Sequence, residues 1–214
     1  MLFLPYRIAN LLFRLRFRLT VAPFFASFGR GAAILRPRGI EGIERIHIGA
    51  GAHVSDAALL AAVPHTGHAD CILQISERCS LGRNNHIYAT RSIILEPEVL
   101  TANNVYISDN AHDYTEPGRA VMHQRIRQLA PVRIGTGSWL GQNVCVIGAS
   151  IGKGCVIGAN SVVLSDIPDY SVAAGTPARV IRRRDASTGA WEKPPSGPTP
   201  ETEQMQTTTG RTVA

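Results

Sequence analysis

Acidic residues are missing from the start of the chain: none precedes Glu41, while Arg7, Arg14, Arg16 and Arg18 stand among Leu, Phe and Ile. The arginines interrupt this apolar stretch too often for it to span a bilayer, and no small-residue cleavage site follows, so it reads as neither an anchor nor a secretory signal. Lysine is nearly absent, with only Lys153 and Lys193 among 22 basic residues. The net charge of +6 is therefore largely arginine. Nucleic acid, a phosphorylated cofactor or an anionic membrane would each fit it, and charge alone does not choose. Aromatics are only 6% of a chain that is 44% hydrophobic and carries 20 glycines, which disfavours a helical bundle and favours a thin aliphatic core. Cys71, Cys79, Cys145 and Cys155 follow no CxxC or CxxH spacing. Buried, reduced thiols in a cytoplasmic compartment are the reading that remains.

What the chain does have is a period of six. Ile134, Leu140 and Val146 are six apart, and after a one-residue slip so are Ile151, Ile157 and Val163. Gly135, Gly141, Gly152 and Gly158 each follow an aliphatic residue, and Ser138, Val144, Cys155 and Ser161 lie four positions after one. Six is too long for one helical turn and too regular for an ordinary strand. It suits a solenoid with one short strand per flat face and a compact residue at each corner. The Gly is expected to supply positive φ at that corner. Earlier in the chain the same phase is visible at Ile48, Val54 and Leu60, then at Ile75, Leu81, Ile87, Ile93, Val99 and Val105. Arg91 falls where a small inward residue belongs, a sign of a bulged corner or of a register off by a residue or two.

The phase breaks twice, at residues 61–73 and between Val105 and Ile134. The second break, polar and turn-rich, reads as a loop (108–131) held out from a rigid scaffold, where function commonly resides. Residues 1–32 form an amphipathic arm, read either as a helix packed as a cap across one end of the solenoid or as a surface for an anionic membrane. The strict alternation of LFRLRFRL is strand-like. Residues 185–214, rich in Thr, Pro and Gly, read as a disordered tail.

The segment from Pro131 to Arg184, with its IGANSVV and GTPARVIRR stretches, resembles the hexapeptide-repeat acyltransferases, and the likeness extends over roughly residues 33–184. Sugar O-acetyltransferases of polysaccharide and lipopolysaccharide pathways are the most similar branch. The resemblance implies an all-β fold, a left-handed parallel β-helix, against the right-handed rule for parallel connections. It implies a homotrimer with active sites between protomers, and acetyl-CoA as co-substrate without a metal. SDNAH is similar to the family's SDHxH, which places the general base at His112, with Asn110 where relatives often carry another His. Imidazole can accept a proton at neutral pH. Asp109 and Asp113 flank it and are candidates to fix its tautomer. Asn84 and Asn85 fall near the family's acceptor-contacting position, although a polar corner is the stronger reading of the two. By the same likeness Gln142 and Ala159 would meet the pantetheine arm, and Arg179 and Arg182 the 3′-phosphate of CoA. Leu164-Ser165 stands where many relatives have Thr-Lys, so one basic CoA contact is missing. Trp139 reads as a surface or interface aromatic.

The implied reaction is acetyl transfer to a hydroxyl of a sugar or polysaccharide precursor, by direct attack. A non-sugar hydroxyl or an amine is the alternative acceptor. A metalloenzyme of the γ-carbonic-anhydrase type would need three converging His; His68 with His86 and His47 with His65 can be drawn as stacked pairs, and His65, His68, Asp70 and Cys71 cluster in sequence. A third reading is a binding protein that kept the solenoid and lost catalysis. His86 and His123 are rival bases. No nucleic-acid partner is expected; a cytoplasmic protein, held to the inner membrane face if the arm binds lipid, is.

Overall fold

The computed structural model describes residues 3–193. The chain winds into a left-handed parallel β-helix with three flat faces; the hexad spacing predicts the solenoid, and the family resemblance its hand. The first face stacks Ser27–Phe28, Ile46–Ile48, Ile72–Ile75, Ser92–Leu95 and Val132–Ile134. The second runs from Ala33–Ile34 through His53–Val54, Ser80–Leu81, Leu100–Thr101, Trp139–Leu140 and Val156–Ile157 to Ser171–Gly175. The third stacks Gly39–Glu41, Leu59–Ala62, His86–Ala89, Tyr106–Ser108, Cys145–Ile147 and Val162–Val163.

Each face sends a column of aliphatic side chains inward. Ile48, Ile75, Leu95, Ile134, Ile151 and Ile167 form one column by strand register. Ile40, Leu60, Ile87, Ile107, Val146 and Val163 form another. A fully buried side chain of this size contributes roughly 1.5–3 kcal/mol, so the columns are the main source of stability. Cys71, Cys79 and Cys155 are buried as free thiols in this core. Burial pushes the thiols of Cys71 and Cys79 up to about 11. A thiol-alkylating reagent at pH 8 should therefore label Cys145 in the native protein well before these three, as mass spectrometry of the labelled peptides would record.

The register differs from the sequence reading in one place. Leu95, not Ile93, is level with Ile75 and Ile134, while Ile93 is level with Leu73 and Val132. Two extra residues enter the corner at Thr90–Arg91, so the period slips by two and Val99 and Val105 take the small inward positions. The hexad glycines are also used differently. Gly135 has no positive φ; a Cβ there would sit 2.4 Å from the Lys153 nitrogen of the next coil. Close approach of the coils is what demands Gly. Positive φ falls two positions later, at Gly137 and at Asn143 after Gly141.

The arm is a helix, α1 (Phe3–Thr20), as the cap reading has it and against the strand-like alternation of LFRLRFRL. Phe17 is buried against Phe25 and Phe28 of the first coil, with Phe13 beside it. Asn10 accepts a hydrogen bond from Arg36, which also pairs with Asp56 at 2.6 Å. Capping of the first coil is thus what one side of the arm does. Among the described residues no helix is long and apolar enough to cross a membrane. At the other end the ladder continues past Arg184. Ala178–Arg184 turns back antiparallel on Ser171–Gly175, and Trp191–Glu192 pairs with Arg183 and Arg184. The Asp185 carboxylate accepts from the Ser187 and Thr188 main-chain N–H groups at 2.8 and 2.7 Å. The stretch expected to lack structure therefore begins as an ordered hairpin, and the rest of it lies outside the described residues.

Candidate active site

Every large irregularity in the period falls at the same corner, between the third and first faces. The extra residues after Leu60, after Ile87 and after Ile107 all enter there, so residues 63–71 and 109–131 project from one edge of the prism. Gln128 ties them together. Its Oε1 accepts from Thr90 Oγ1 at 3.0 Å and from Thr66 Oγ1, and its Nε2 donates to the Asp109 carbonyl at 2.7 Å. No hexad rule points to Gln128, which sits in a polar loop of unreadable register; its partners are visible only in three dimensions.

His112 ends the strand Asn110–His112, paired antiparallel with Ile126–Gln128. The hairpin base is fixed from below by Gln128 and by Leu129, whose N–H donates to the Asp109 carbonyl at 2.8 Å. The imidazole is exposed, and no hydrogen bond reaches it among the described residues. The two carboxylates expected to orient it are engaged elsewhere. Asp109 is fully buried and accepts from the N–H groups of Thr90, Arg91 and Ser92, each at 2.8 Å, and shares the single Thr90 hydroxyl proton with Gln128, its Oδ1 lying 3.0 Å from Thr90 Oγ1. It closes the bulged corner that Arg91 betrayed. Asp113 accepts from Thr115 Oγ1 at 2.8 Å and pairs with Arg125 at 3.3 Å. These bonds, those of Thr115 first, hold its carboxyl below the usual range.

The acceptor candidates have structural duties. Asn85 is fully buried; its Nδ2 donates to the Gly82 and Ala102 carbonyls at 2.8 and 2.9 Å, and its Oδ1 accepts from Thr101 Oγ1. No ligand can reach it. Asn84 begins a ladder with Asn104, Asn143 and Asn160, joined amide to amide at 2.9, 3.0 and 2.9 Å along the edge between the second and third faces. All four have φ between 55 and 60°, a conformation that Asn adopts at low cost. The drawn His stacks also dissolve. His47 is level with Gln74, and His86 with Leu59 and Tyr106. Among the described residues no three His, Cys, Asp or Glu side chains gather as a metal would require. His86 packs edge-on to Tyr106 and Tyr88, its Nε2 buried without a partner, and burial holds its pKa below the ordinary value. His123 lies in the outer turn Val121–His123 of the long loop. His65 bonds Tyr88 Oη at 2.8 Å, on the same edge as the hairpin.

Gln142 and Ala159 are exposed at successive corners of the Asn-ladder edge, and a Cβ on Gly141 would lie 2.8 Å from the Ala159 nitrogen. Arg179 and Arg182 are three apart, which in a regular strand would set them on opposite faces. A bulge prevents that. The register pairs Arg179 with Ala174 and Arg182 with Val172, two residues on one face, and the extra residue is absorbed between Val172 and Ala173. Both arginines are exposed and emerge on the outer side of the second face. Trp139, about half exposed at 47%, lies in that face's outward row between Leu100 and Val156. His112 thus lies at one corner of the chain, while the four residues expected to hold CoA lie on the Asn-ladder edge and on the outer side of the second face.

The hexapeptide-repeat model of succinyl-transferase matches residues 131–165. A Mycobacterium tuberculosis protein named for acetyltransferase activity is 36% identical over 151 residues, 70% of this chain and 47% of its own length. An Escherichia coli protein named as an O-acetyl transferase of lipopolysaccharide biosynthesis is 34% identical over 129 residues, 57% of this chain and 66% of its own. This chain belongs to the hexapeptide-repeat acyltransferase family. It spans about half to two thirds of the length of these two family members. In fold it is similar to a variant of AntD, an N-acyltransferase from Bacillus cereus, solved with dTDP-4-amino-4,6-dideoxyglucose and coenzyme A. The TM-score is 0.67 at 17% identity, covering 80% of this chain and 89% of AntD.

Proposed function

We propose that the protein transfers an acetyl group from acetyl-CoA to a hydroxyl of a sugar or polysaccharide precursor, with His112 as general base. His112 removes the hydroxyl proton as the oxygen attacks the thioester carbonyl; the C–S bond breaks and CoA leaves as the thiol once protonated. The observation that carries the reading is the exposed His112 on a hairpin clamped to a rigid coil, the arrangement a positioned base needs. Asp109 holds the scaffold under the ring and does not touch it. The names of the mycobacterial and E. coli relatives support acetyl transfer, and that of the latter supports oxygen as the acceptor atom. A cytoplasmic setting, where acetyl-CoA is available, fits this reading.

Because the base and the residues expected to hold CoA lie on different parts of the protomer, the working site needs a second copy of the chain, in keeping with a homotrimer. Mass measurement in solution tests this: a monomer active at high dilution would refute it. An acetyl-CoA turnover screen against nucleotide sugars, lipid-linked glycans, free sugars and amino sugars tests the acceptor. Turnover confined to amines would replace O-transfer with N-transfer.

The bulged pair Arg179 and Arg182 supports a phosphate contact through charge-assisted hydrogen bonds. Arg179→Ala with Arg182→Ala should raise KM for acetyl-CoA by roughly tenfold, a value set low because both side chains are solvated. With 3′-dephospho-acetyl-CoA the same double variant should match wild type. An equal loss with both donors would show that these arginines do not read that phosphate.

A further inference from the structure

We propose that the solvent face of α1 is a docking surface for an anionic phospholipid bilayer, which the helix meets lying flat. The helix has two apolar faces, and the solenoid uses one. Phe13 and Phe17 pack on the first coil, whereas Ile8, Leu11, Leu12, Leu15 and Leu19 stay 49–69% exposed. At about 100° per residue, those five fall within an arc of roughly 100°, centred opposite the two phenylalanines. Phe24, in the short turn after the helix, is 66% exposed and extends the apolar patch.

Charge specifies the occupant. On the same helical projection Arg7, Arg14 and Arg18 line one border of the exposed arc and Arg16 lies on the other. All four are exposed, and none forms an ion pair among the described residues. No acidic residue occurs anywhere in the helix. An apolar stripe with arginines on both borders matches the headgroup boundary, where leucines enter the acyl region and long cationic side chains reach back to the phosphates. A shallow groove lined by Arg7, Ile8, Asn10, Leu11 and Arg14 brings two guanidinium groups beside apolar surface, as a lipid phosphate with its attached chains would require. A second protein copy would leave these arginines facing one another, since its own helix carries the same charges.

The test is flotation of the full-length protein with vesicles of phosphatidylcholine alone or with about 30% phosphatidylglycerol, where each basic residue near the surface adds to binding. Wild type should favour the anionic vesicles at least tenfold, with the preference falling as salt rises. Leu11→Glu with Leu15→Glu should abolish partitioning while thermal unfolding and circular dichroism stay as in wild type, because both side chains are more than half exposed and lie outside the core. Arg7→Gln, Arg14→Gln and Arg16→Gln together should remove the anionic preference. Wild type that ignores both vesicle types would overturn the proposal, as would undiminished binding by the leucine variant. So would light scattering that shows the leucine variant to be a smaller assembly than wild type, since a second copy would then cover this face. Flotation requires no turnover, so the outcome is independent of whether acetyl transfer is the activity.

Discussion

Protein carrying His112→Ala should turn over acetyl-CoA and its acceptor about 10²–10⁴-fold more slowly than wild type, the range a positioned general base supplies. That corresponds to roughly 3–5 kcal/mol of transition-state stabilisation. The loss should appear in kcat, with CoA affinity near wild type, because a general base acts in the transition state and the variant leaves the residues expected to hold CoA intact. Among the described residues no hydrogen bond holds the imidazole, so its removal should leave thermal unfolding unchanged. Steady-state kinetics with calorimetric CoA titration checks both halves. Wild-type turnover by the variant would remove His112 from the mechanism, and a parallel rise in CoA Kd would recast it as a binding residue.

Asp109→Ala should fail in the opposite way, by unfolding. The carboxylate is fully buried and satisfies three main-chain N–H groups at the corner Thr90–Ser92. An unsatisfied buried donor costs about 1–3 kcal/mol, so stranding three should cost roughly 3–5 kcal/mol after partial relaxation. Against a typical total of about 5–15 kcal/mol, that is enough to lower soluble yield sharply. Urea denaturation of Asp109→Asn, which keeps one acceptor and adds a donor, should show an intermediate loss. An Asp109→Asn protein of normal stability and lost kcat would return this residue to the role of orienting His112.

The solenoid was readable because its period is written in the residues that face inward. From Ile134 to Val163 a slip of one residue is the only disturbance, and the columns follow it. The two-residue slip at Thr90–Arg91 was visible only as a misplaced Arg, since the group that closes that corner is 18 residues away in sequence at Asp109. Asn85 shows the limit of the family likeness as a guide: the likeness sets this amide near an acceptor, yet it is consumed by carbonyls of its own and the next coil. The alternation in the arm misled for another reason. Phe13 and Phe17 are four apart on one side of a helix and Leu11, Leu15 and Leu19 four apart on the other, and two interleaved helical stripes produce the alternation of a strand. Arg179 and Arg182 could be set on one face only by the register of their hairpin.

The placement of every long insertion at a single corner has a consequence for how such chains diversify. The Asn-ladder edge is bound to a fixed number of residues per coil, since an added residue would break amide pairing above and below it. The opposite corner carries no such constraint, and two loops already lengthen there without disturbing a column. On the proposed assignment, selection can therefore rewrite what meets His112 while the edge that carries Gln142 and Ala159 stays as it is, and descendants of this chain should differ in acceptor long before they differ in donor.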